Sequence, residues 1–231
     1  MRIAFVALLA CGVLFGQGVP KGAKKLWNGK DLKGWHISEV NHHGNTKAWS
    51  VDNGVLTVMQ DKPGNGGILL TDRTYKNFEL YLEVKPDWGC DGGIFLRSTE
   101  KGEAYQVMLD YLEGGVMGGI YGERIPELQA KPGEPQVGTG KRLDREWQKY
   151  WKKDDWNQIK IRIEGDVPHI QVWINGNVSA DWTDSANHSK AGPEGGMIAL
   201  QTHRSNPEAK NQRWVPGGKH RYRNIYLVEL P

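Results

Sequence analysis

The sequence predicts an all-β protein, a sandwich or barrel of short strands, on two observations. Roughly a dozen short segments carry apolar side chains at every second position, which is the period of a strand with one buried face. Turn-forming residues separate these segments, and glycine alone accounts for 30 of the 231 residues. Many short strands at such close spacing favour two packed sheets or a closed barrel.

The alternation is clearest in "NFELYLEVK", residues 77–85, where the apolar residues all point to one side. It recurs in "NQIKIRIEG" (157–165) and in "HIQVWING" (169–176). Asn175 and Gly176 both tolerate a positive φ, so they predict a tight hairpin turn between this strand and the next. The remaining candidate strands are 48–52, 55–59, 67–70, 92–98, 104–111, 117–121, 195–202 and 222–229.

One segment has the spacing of a helix instead. In "LDREWQKYWKK", residues 143–153, Trp147 and Trp151 stand four apart, as neighbours on one helical face do. The segment follows a stretch rich in glycine and proline, 122–142, which predicts a long surface loop. We therefore expect one short helix within an insertion of the β domain.

The first residues have the pattern of a secretory signal peptide: Arg2, then an apolar run, then small residues. Cleavage near Gly18 would leave a single domain, 19–231, in the periplasm or outside the cell. A lipoprotein signal with a lipid on Cys11 is the alternative, but the apolar run continues past that cysteine. No other apolar run approaches the length needed to span a membrane.

Composition limits the classes of binding partner expected for the mature protein. The formal net charge is +3 and both signs are scattered along the chain, which argues against nucleic-acid binding. If Cys11 leaves with the signal peptide, Cys90 has no partner for an intramolecular disulfide, and a small turn or core thiol is expected there. The ten tryptophans suit flat contacts with sugar rings as well as core packing.

Three histidines near the N-terminus, His36, His42 and His43, raise the question of a metal site. Imidazole ligands of a structural or catalytic metal are joined by further histidine, cysteine or carboxylate ligands. No cysteine or carboxylate stands at ligand spacing from these histidines in the sequence. The sequence therefore predicts no metal site.

Three strands in the first half of the chain, 77–85, 92–98 and 104–110, are joined by short connections. Consecutive strands with short connections are usually neighbours in a sheet, so we expect an antiparallel meander. Neighbouring strands lie about 5 Å apart, which brings the polar side chains of one face into an area the size of a sugar.

Pleat parity selects the side chains of the polar face. With Ile94 and Leu96 turned to the core, Arg97 is predicted on the opposite face. Glu83 of the preceding strand is predicted to lie beside it. In "AYQVMLD" the same parity places Gln106 and Asp110 together.

Two later segments add to this face. "MIALQTH" (197–203) contributes Gln201 and His203, and Tyr121 ends "GGIY" at the edge. The alternatives are ordinary surface features: a solvated charged face at Glu83, a weak cross-strand ion pair between Arg97 and Asp110, and a surface histidine at position 203.

Ten motifs in order resemble the 3-keto-disaccharide hydrolase family, also described as 3-keto-glucoside lyase and 3-keto-2-hydroxy-glucal hydratase. They cover nearly the whole mature chain. The motifs are "LWNGKDLKGW" (26–35), "WSVDNGVLTV" (49–58), "YKNFELYLEVK" (75–85), "GGIFLR" (92–97), "YQVMLD" (105–110), "GGIY" (118–121), "DDWNQIKIRIEG" (154–165), "VWINGNVSADW" (172–182), "GGMIALQTH" (195–203) and "YRNIYLVEL" (222–230).

The resemblance implies a concanavalin A-like jelly-roll β-sandwich of two antiparallel sheets that binds carbohydrate on a concave sheet. It implies no obligatory cofactor, while a structural calcium ion, as in some related sandwiches, stays open. The E-x-D-x-x-E signature of laminarinase-type enzymes is absent, so hydrolysis by two close carboxylates on that strand is not expected.

The implied chemistry starts from a sugar oxidised at C3, whose ketone acidifies the C2 proton. A base removes that proton, the C1 substituent leaves, and water adds to the unsaturated sugar, giving net hydrolysis. The resemblance suggests Asp110 or His203 as the base and Arg97 as the group that faces the enolate oxygen. The substrate would be held by the following residues: Gln106, Gln201, Tyr121, Trp88 and Glu83.

One position departs from the family pattern. The family commonly carries Y-E-x-Q-x-L-D, whereas "YQVMLD" has Gln106 where an acid is expected, and a glutamine cannot exchange a proton. Glu103 or Glu123 would restore an acid from a neighbouring position. Without such an acid, the alternative is a non-catalytic, lectin-like carbohydrate-binding module, and a third reading is a structural exported domain. The sequence leaves the aglycone and the oligomeric state open.

Overall fold

The computed structural model describes residues 19–20, 22–111, 117–129, 147–208 and 212–231, and within them the protein is a concanavalin A-like jelly roll. Its regular structure is almost entirely β, as predicted. The described strands are β1 (Lys24–Lys25), β2 (Trp35–Ile37), β3 (Trp49–Asp52), β4 (Val55–Val58), β5 (Gly67–Thr71), β6 (Phe78–Val84), β7 (Asp91–Ser98), β8 (Ala104–Asp110), β9 (Met117–Glu123), β10 (Asn157–Glu164), β11 (His169–Ile174), β12 (Asn177–Thr183), β13 (Met197–Thr202) and β14 (His220–Glu229).

These strands form two sheets whose neighbours are all antiparallel. The long sheet has the order β12-β11-β10-β6-β14-β4-β3, with β1 also paired to β14. The six-stranded sheet has the order β2-β5-β13-β7-β8-β9. The apolar core fills the space between them, because each strand turns alternate side chains inward.

Local patterning predicted the strands of the long sheet other than β1, which pairs with β14. In β10 the burial alternates strictly, with Ile159, Ile161 and Ile163 buried and the residues between them partly exposed. The predicted hairpin is confirmed as well, since β11 pairs with β12 and the turn residues Asn175 and Gly176 have φ angles of 49° and 83°.

The predicted meander of three strands is wrong in its first member. β7 does pair with β8, but β6 pairs with β10 and β14 in the long sheet. The connection between β6 and β7 crosses from one sheet to the other, which its six residues can span because packed sheets lie about 10 Å apart. Short connections favour neighbours but do not exclude a crossing between layers.

Glu83 is therefore remote from the polar face to which parity assigned it. It lies on β6 of the long sheet, buried, where Arg223 Nε donates to its Oε2 at 2.8 Å and Asn224 Nδ2 donates at 2.6 Å. Its contacts are those of a structural ion pair.

The predicted helix is replaced, in its described part, by a short 3-10 turn, Trp147–Lys149. Residues 143–146 of that prediction lie outside the described residues, as do 130–142 of the predicted loop. Trp147 and Trp151 are both buried with ring centroids 6.5 Å apart, and both pack near Tyr111. Their spacing of four reflects this aromatic packing. A second 3-10 turn, Pro126–Leu128, follows β9.

The predicted signal peptide, 1–18, lies outside the described residues, and Cys11 with it. Among the described residues there is no helix whose length and apolar character would let it cross a membrane. Cys90 is fully buried and unpaired, and burial raises the pKa of its thiol to about 12, as fits a core thiol.

Candidate active site

Polar side chains gather on the outer face of the six-stranded sheet, away from the core. Gln106 and Asp110 of β8, Gln201 of β13 and Asp91 of β7 are all buried there. They come together because β7 is the central strand: Asp91 is the register partner of Asp110, and Gly93 is the partner of Gln201. The segments that precede β3 and follow β13 cover this face, since His43 contacts Gln201 and Arg213 contacts Asp91.

Two carboxylates share one guanidinium at the centre of the cluster. Arg213 lies 2.5 Å from Asp91 Oδ2 and 3.0 Å from Asp110 Oδ2. Burial and the charge of Asp110 raise the pKa of Asp91 to about 8, although Arg213 opposes the shift. Burial also opposes the charge of Arg213, but the two carboxylates together raise its pKa. At neutral pH Asp91 therefore keeps its proton beside a fixed cation.

His203 stands next to this pair, directly after β13. Its backbone N–H donates to the carbonyl of Asp91, and its Nε2 lies 3.9 Å from Asp91 Oδ2. Its Nδ1 donates to the carbonyl oxygen of Arg204, so the Nδ1 proton is fixed and Nε2 carries the lone pair. Burial, with the charges of His43 and Arg213, lowers the pKa of this imidazole to about 3.

Gln106 and Gln201 are joined to each other and to His43. Gln106 Nε2 donates to Gln201 Oε1 at 2.9 Å, and Gln201 Nε2 donates to His43 Nε2 at 2.9 Å. Gly93 makes this crossing possible, because a Cβ there would lie 2.4 Å from Gln106 Nε2. Both amides are committed to internal partners, so they position neighbouring groups.

Beside Gln201 lies a second titratable group formed by His42, His43 and Glu123. His42 Nε2 is 3.0 Å from Glu123 Oε1 and His43 Nε2 is 3.7 Å from the same oxygen. Burial opposes the charge of Glu123, yet its contacts with the two imidazoles lower its pKa to about 2. Burial lowers the pKa of His43. Spacing along the sequence could not reveal this group, because Glu123 lies on β9, far along the chain from the two histidines.

Arg97 does not join the cluster. It is fully buried and donates to the carbonyl oxygens of Lys76 at 2.8 Å and Gly165 at 2.9 Å. Its φ is +51°, and the pairing of β7 with β13 shifts register at this point. Such a bulge breaks the alternation on which the parity prediction depended and turns the side chain toward other partners.

The two predicted stacking rings lie at different places. Tyr121 of β9 is the register partner of Gln106 and is half-buried beside the cluster. Trp88 is exposed, with its ring centroid 4.6 Å from that of Tyr111 and with Lys153 Nζ 4.4 Å above it.

Sequence reasoning missed Asp91 and Arg213. Asp91 shares the parity of Gly93 and Phe95 in "CDGGIF", so extending the strand by one residue would have placed it on the polar face. Arg213 lies outside the strands, and no local pattern marks it.

A family model described as a 3-keto-α-glucoside-1,2-lyase-like domain matches residues 22–228. The chain belongs to this family. The match confirms the resemblance found in the sequence motifs. Membership of the 3-keto-α-glucoside-1,2-lyase-like family supports a carbohydrate-active role for this protein, as an enzyme of the glycosyl hydrolase or lyase kind.

Solved structures share the fold of this 3-keto-α-glucoside-1,2-lyase-like chain. One is a suggested glycosyl hydrolase from Parabacteroides distasonis ATCC 8503, with 17% identity, coverage of 91% of this chain and 95% of that chain, and a TM-score of 0.56. A second from the same organism has 21% identity, coverage of 90% and 99%, and a TM-score of 0.56.

The alginate lyase Aly36B also shares it, with 16% identity, coverage of 82% of this chain and 86% of that chain, and a TM-score of 0.53. A search of curated proteins found no match.

Proposed function

We propose that this protein cleaves 3-keto-glucosides or 3-keto-disaccharides by C2 proton abstraction, elimination at C1 and rehydration. The observation that carries the proposal is the grouping of Asp91, Asp110 and Arg213 with His203 on one sheet face. The reaction needs a base, a cation for the enolate oxygen and an acid for the leaving oxygen. This group contains a candidate for each.

His203 is the base. Because Arg204 holds the Nδ1 proton, Nε2 presents its lone pair on the side of Asp91. The side chain is 22% exposed, so a sugar can reach it from solvent. Nε2 takes the C2 proton, and the electron pair of the C2–H bond forms an enolate with the C3 ketone.

Arg213 takes the role that the sequence assigned to Arg97. Its side chain is 42% exposed, whereas Asp91 and Asp110 beneath it are buried and hold two of its nitrogens. The guanidinium is thereby oriented before substrate arrives, and it presents donors to the developing enolate oxygen. A cation oriented in advance stabilises such charge without reorganisation.

Asp91 is the acid, and burial together with the charge of Asp110 raises its pKa so that it keeps its proton. When the C1–O bond breaks, the proton of Asp91 passes to the leaving oxygen, and Arg213 stabilises the new carboxylate. In the second half, Asp91 accepts a proton from the water that adds to C1. The imidazolium of His203 returns its proton to C2, so the two steps sum to hydrolysis. A carboxylic acid kept protonated at neutral pH suits this role.

The missing acid at Gln106 does not favour the lectin-like alternative, because Asp91 and Glu123 supply carboxyl groups on the same face. The two functions make different predictions. A binding module would hold a disaccharide without changing it, whereas an enzyme would convert the 3-keto form.

Turnover of a 3-keto-glucoside, followed by mass spectrometry of the products, tests the proposal. His203→Ala and Asp91→Asn are each expected to lower kcat by about 10²- to 10⁴-fold, the usual contribution of a general acid or base. His169→Ala is the matched control, since His169 pairs with Asp181 at the surface of the long sheet.

Circular dichroism checks that each variant is folded. Near-wild-type turnover in both site variants would contradict the assignment of roles. Saturable heat on titration of the 3-keto sugar, with no product from the wild-type protein, would instead show a carbohydrate-binding module.

A further inference from the structure

We propose that His42, His43 and Glu123 form a binding site for one divalent transition-metal ion of the zinc type. The site is distinct from the acid, base and cation assigned above, and the inference does not depend on the reaction. It rests on the ligand types, their spacing, and the burial of a carboxylate whose ion-pair partners, within the described part of the chain, are two imidazoles.

The spacing fits ligands that share one ion. Metal–ligand bonds of 2.0–2.2 Å at angles between 90° and the tetrahedral value separate neighbouring ligand atoms by about 3 to 3.6 Å. Glu123 Oε1 lies 3.0 Å from His42 Nε2 and 3.7 Å from His43 Nε2. One ligand atom from each of the three residues lies within 4.8 Å of the others. Small side-chain adjustments that release His43 Nε2 from Gln201 Nε2 would bring all three onto one ion.

The charge balance also favours a cation. Glu123 is buried, and among the described residues its ion-pair partners are only the two imidazoles, with no lysine or arginine. A buried carboxylate is normally paired with a cation or coordinates a metal. An imidazole binds a metal through a nitrogen lone pair, so a divalent ion would coordinate all three groups and balance the charge of the carboxylate.

The loop that carries the histidines is held in place by the side chain of Asn41, which bonds to the loop backbone. Asn41 Oδ1 accepts from the N–H of His43 at 2.9 Å, and Asn41 Nδ2 donates to the carbonyl of Gly44 at 2.7 Å. Gly44 has a φ of +113°, and a Cβ there would lie 2.3 Å from Asn65 Oδ1. The two imidazoles are therefore presented to Glu123 by a fixed loop, with ring centroids 3.9 Å apart.

The ligand set predicts which ions bind. Two imidazoles and one carboxylate suit zinc and its neighbours in the first transition series, and leave at least one coordination position for water or substrate. Calcium and magnesium prefer oxygen ligands. His42 is 23% exposed, which gives an ion a route from solvent.

The experiment uses the full-length folded protein after treatment with a chelator, titrated with Co²⁺ and then with Zn²⁺. We expect one Co²⁺ per chain, seen by its visible absorption bands, displacement by Zn²⁺, and a rise in Tm on binding. Ca²⁺ and Mg²⁺ should neither displace Co²⁺ nor raise the Tm.

Two variants locate the site. Glu123→Gln and His42→Ala are expected to weaken Co²⁺ binding by on the order of 100-fold or more, since even partners that only orient a ligand contribute 10- to 100-fold. His36→Ala is the matched control, because His36 also contacts two carboxylates, Asp72 at 2.7 Å and Glu100 at 2.9 Å. The affinity of the His36→Ala variant for Co²⁺ should equal that of the wild-type protein.

Absence of stoichiometric Co²⁺ binding would overturn the proposal, as would equal affinity in all three variants or a loss confined to His36→Ala. If the site variants do not fold, imidazole NMR signals of the wild-type protein decide. Zn²⁺ should shift those of His42 and His43 and leave that of His36 unchanged, and any other pattern contradicts the site. Turnover is not measured, so this result is separable from the proposed reaction.

Discussion

Asp91 is a buried carboxyl whose charge is opposed by burial and by Asp110 and is favoured by Arg213. Its pKa of about 8 in the folded protein exceeds the ordinary value of 3.8. Between these values the unfolded chain has lost the proton and the folded protein keeps it. The free energy of unfolding therefore falls as pH rises through this window, by at most about 1.4 kcal/mol per pH unit for one proton.

Asp91→Asn replaces the protonated acid with a neutral group of similar shape. The contribution of this residue to the change of unfolding free energy with pH therefore disappears. We expect the variant to gain stability relative to the wild-type protein as pH rises from 4 to 8, by on the order of 1 kcal/mol or more. Urea unfolding across this pH range measures the difference.

Asp52→Asn, at an exposed position of β3, serves as the control for loss of a carboxyl. If Asp91→Asn were destabilised by the same amount at every pH, the carboxyl would be ionised in the folded protein. It would then act only as an ion-pair partner of Arg213.

The strands determine where the polar side chains of the site lie. In β7 two irregular features contribute to this arrangement. At Gly93 the absence of a side chain lets Gln106 reach Gln201, while the bulge at Arg97 ends the alternation. Both features follow from contacts with neighbouring strands and from backbone geometry.

Gly93→Ala should disrupt the crossing of Gln106, because a Cβ would lie 2.4 Å from its Nε2 and 2.6 Å from its Cγ. We expect a loss of about 1–3 kcal/mol in unfolding free energy, typical of overpacking. The double variant Gly93→Ala/Gln106→Ala removes the clash, so the two changes should be strongly non-additive in denaturant unfolding. Additive losses would show that the clash is relieved in another way.

Arg97→Met should destabilise the protein while leaving the chemistry of the folded fraction intact. The change removes donors to the carbonyls of Lys76 and Gly165 in a buried setting. Unsatisfied buried groups cost about 1–3 kcal/mol each. Denaturant unfolding gives the stability, and kcat per folded molecule should stay within about threefold of wild type, well below the effect of losing an oxyanion donor. A folded variant with a 100-fold lower kcat would restore the catalytic role that the sequence suggested.

Over the whole molecule, the polar side chains with structural contacts and those of the proposed site lie on different sheets. The outer face of the long sheet holds paired charges such as Glu83 with Arg223, while the outer face of the six-stranded sheet holds Asp91, Asp110 and Glu123. Burial of the latter group among imidazoles and one arginine produces the raised and lowered pKa values described above.

The sequence by itself determined the all-β class, most strand positions, the turn at Asn175 and Gly176, and the family. It also grouped Gln106, Asp110, Gln201 and His203 on one face. These features follow from period-two alternation, turn chemistry and ordered motifs, all of which are local.

Only the tertiary structure decided which strands pair, and with them the composition of the site. It moved Glu83 to the other sheet, removed Arg97 through a bulge, and brought in Arg213 and Glu123. Strand partners are chosen by contacts between distant segments, and a shift of one residue reverses the face of every side chain that follows. Local patterning therefore identified the polar sheet face, and long-range packing determined which titratable side chains lie on it.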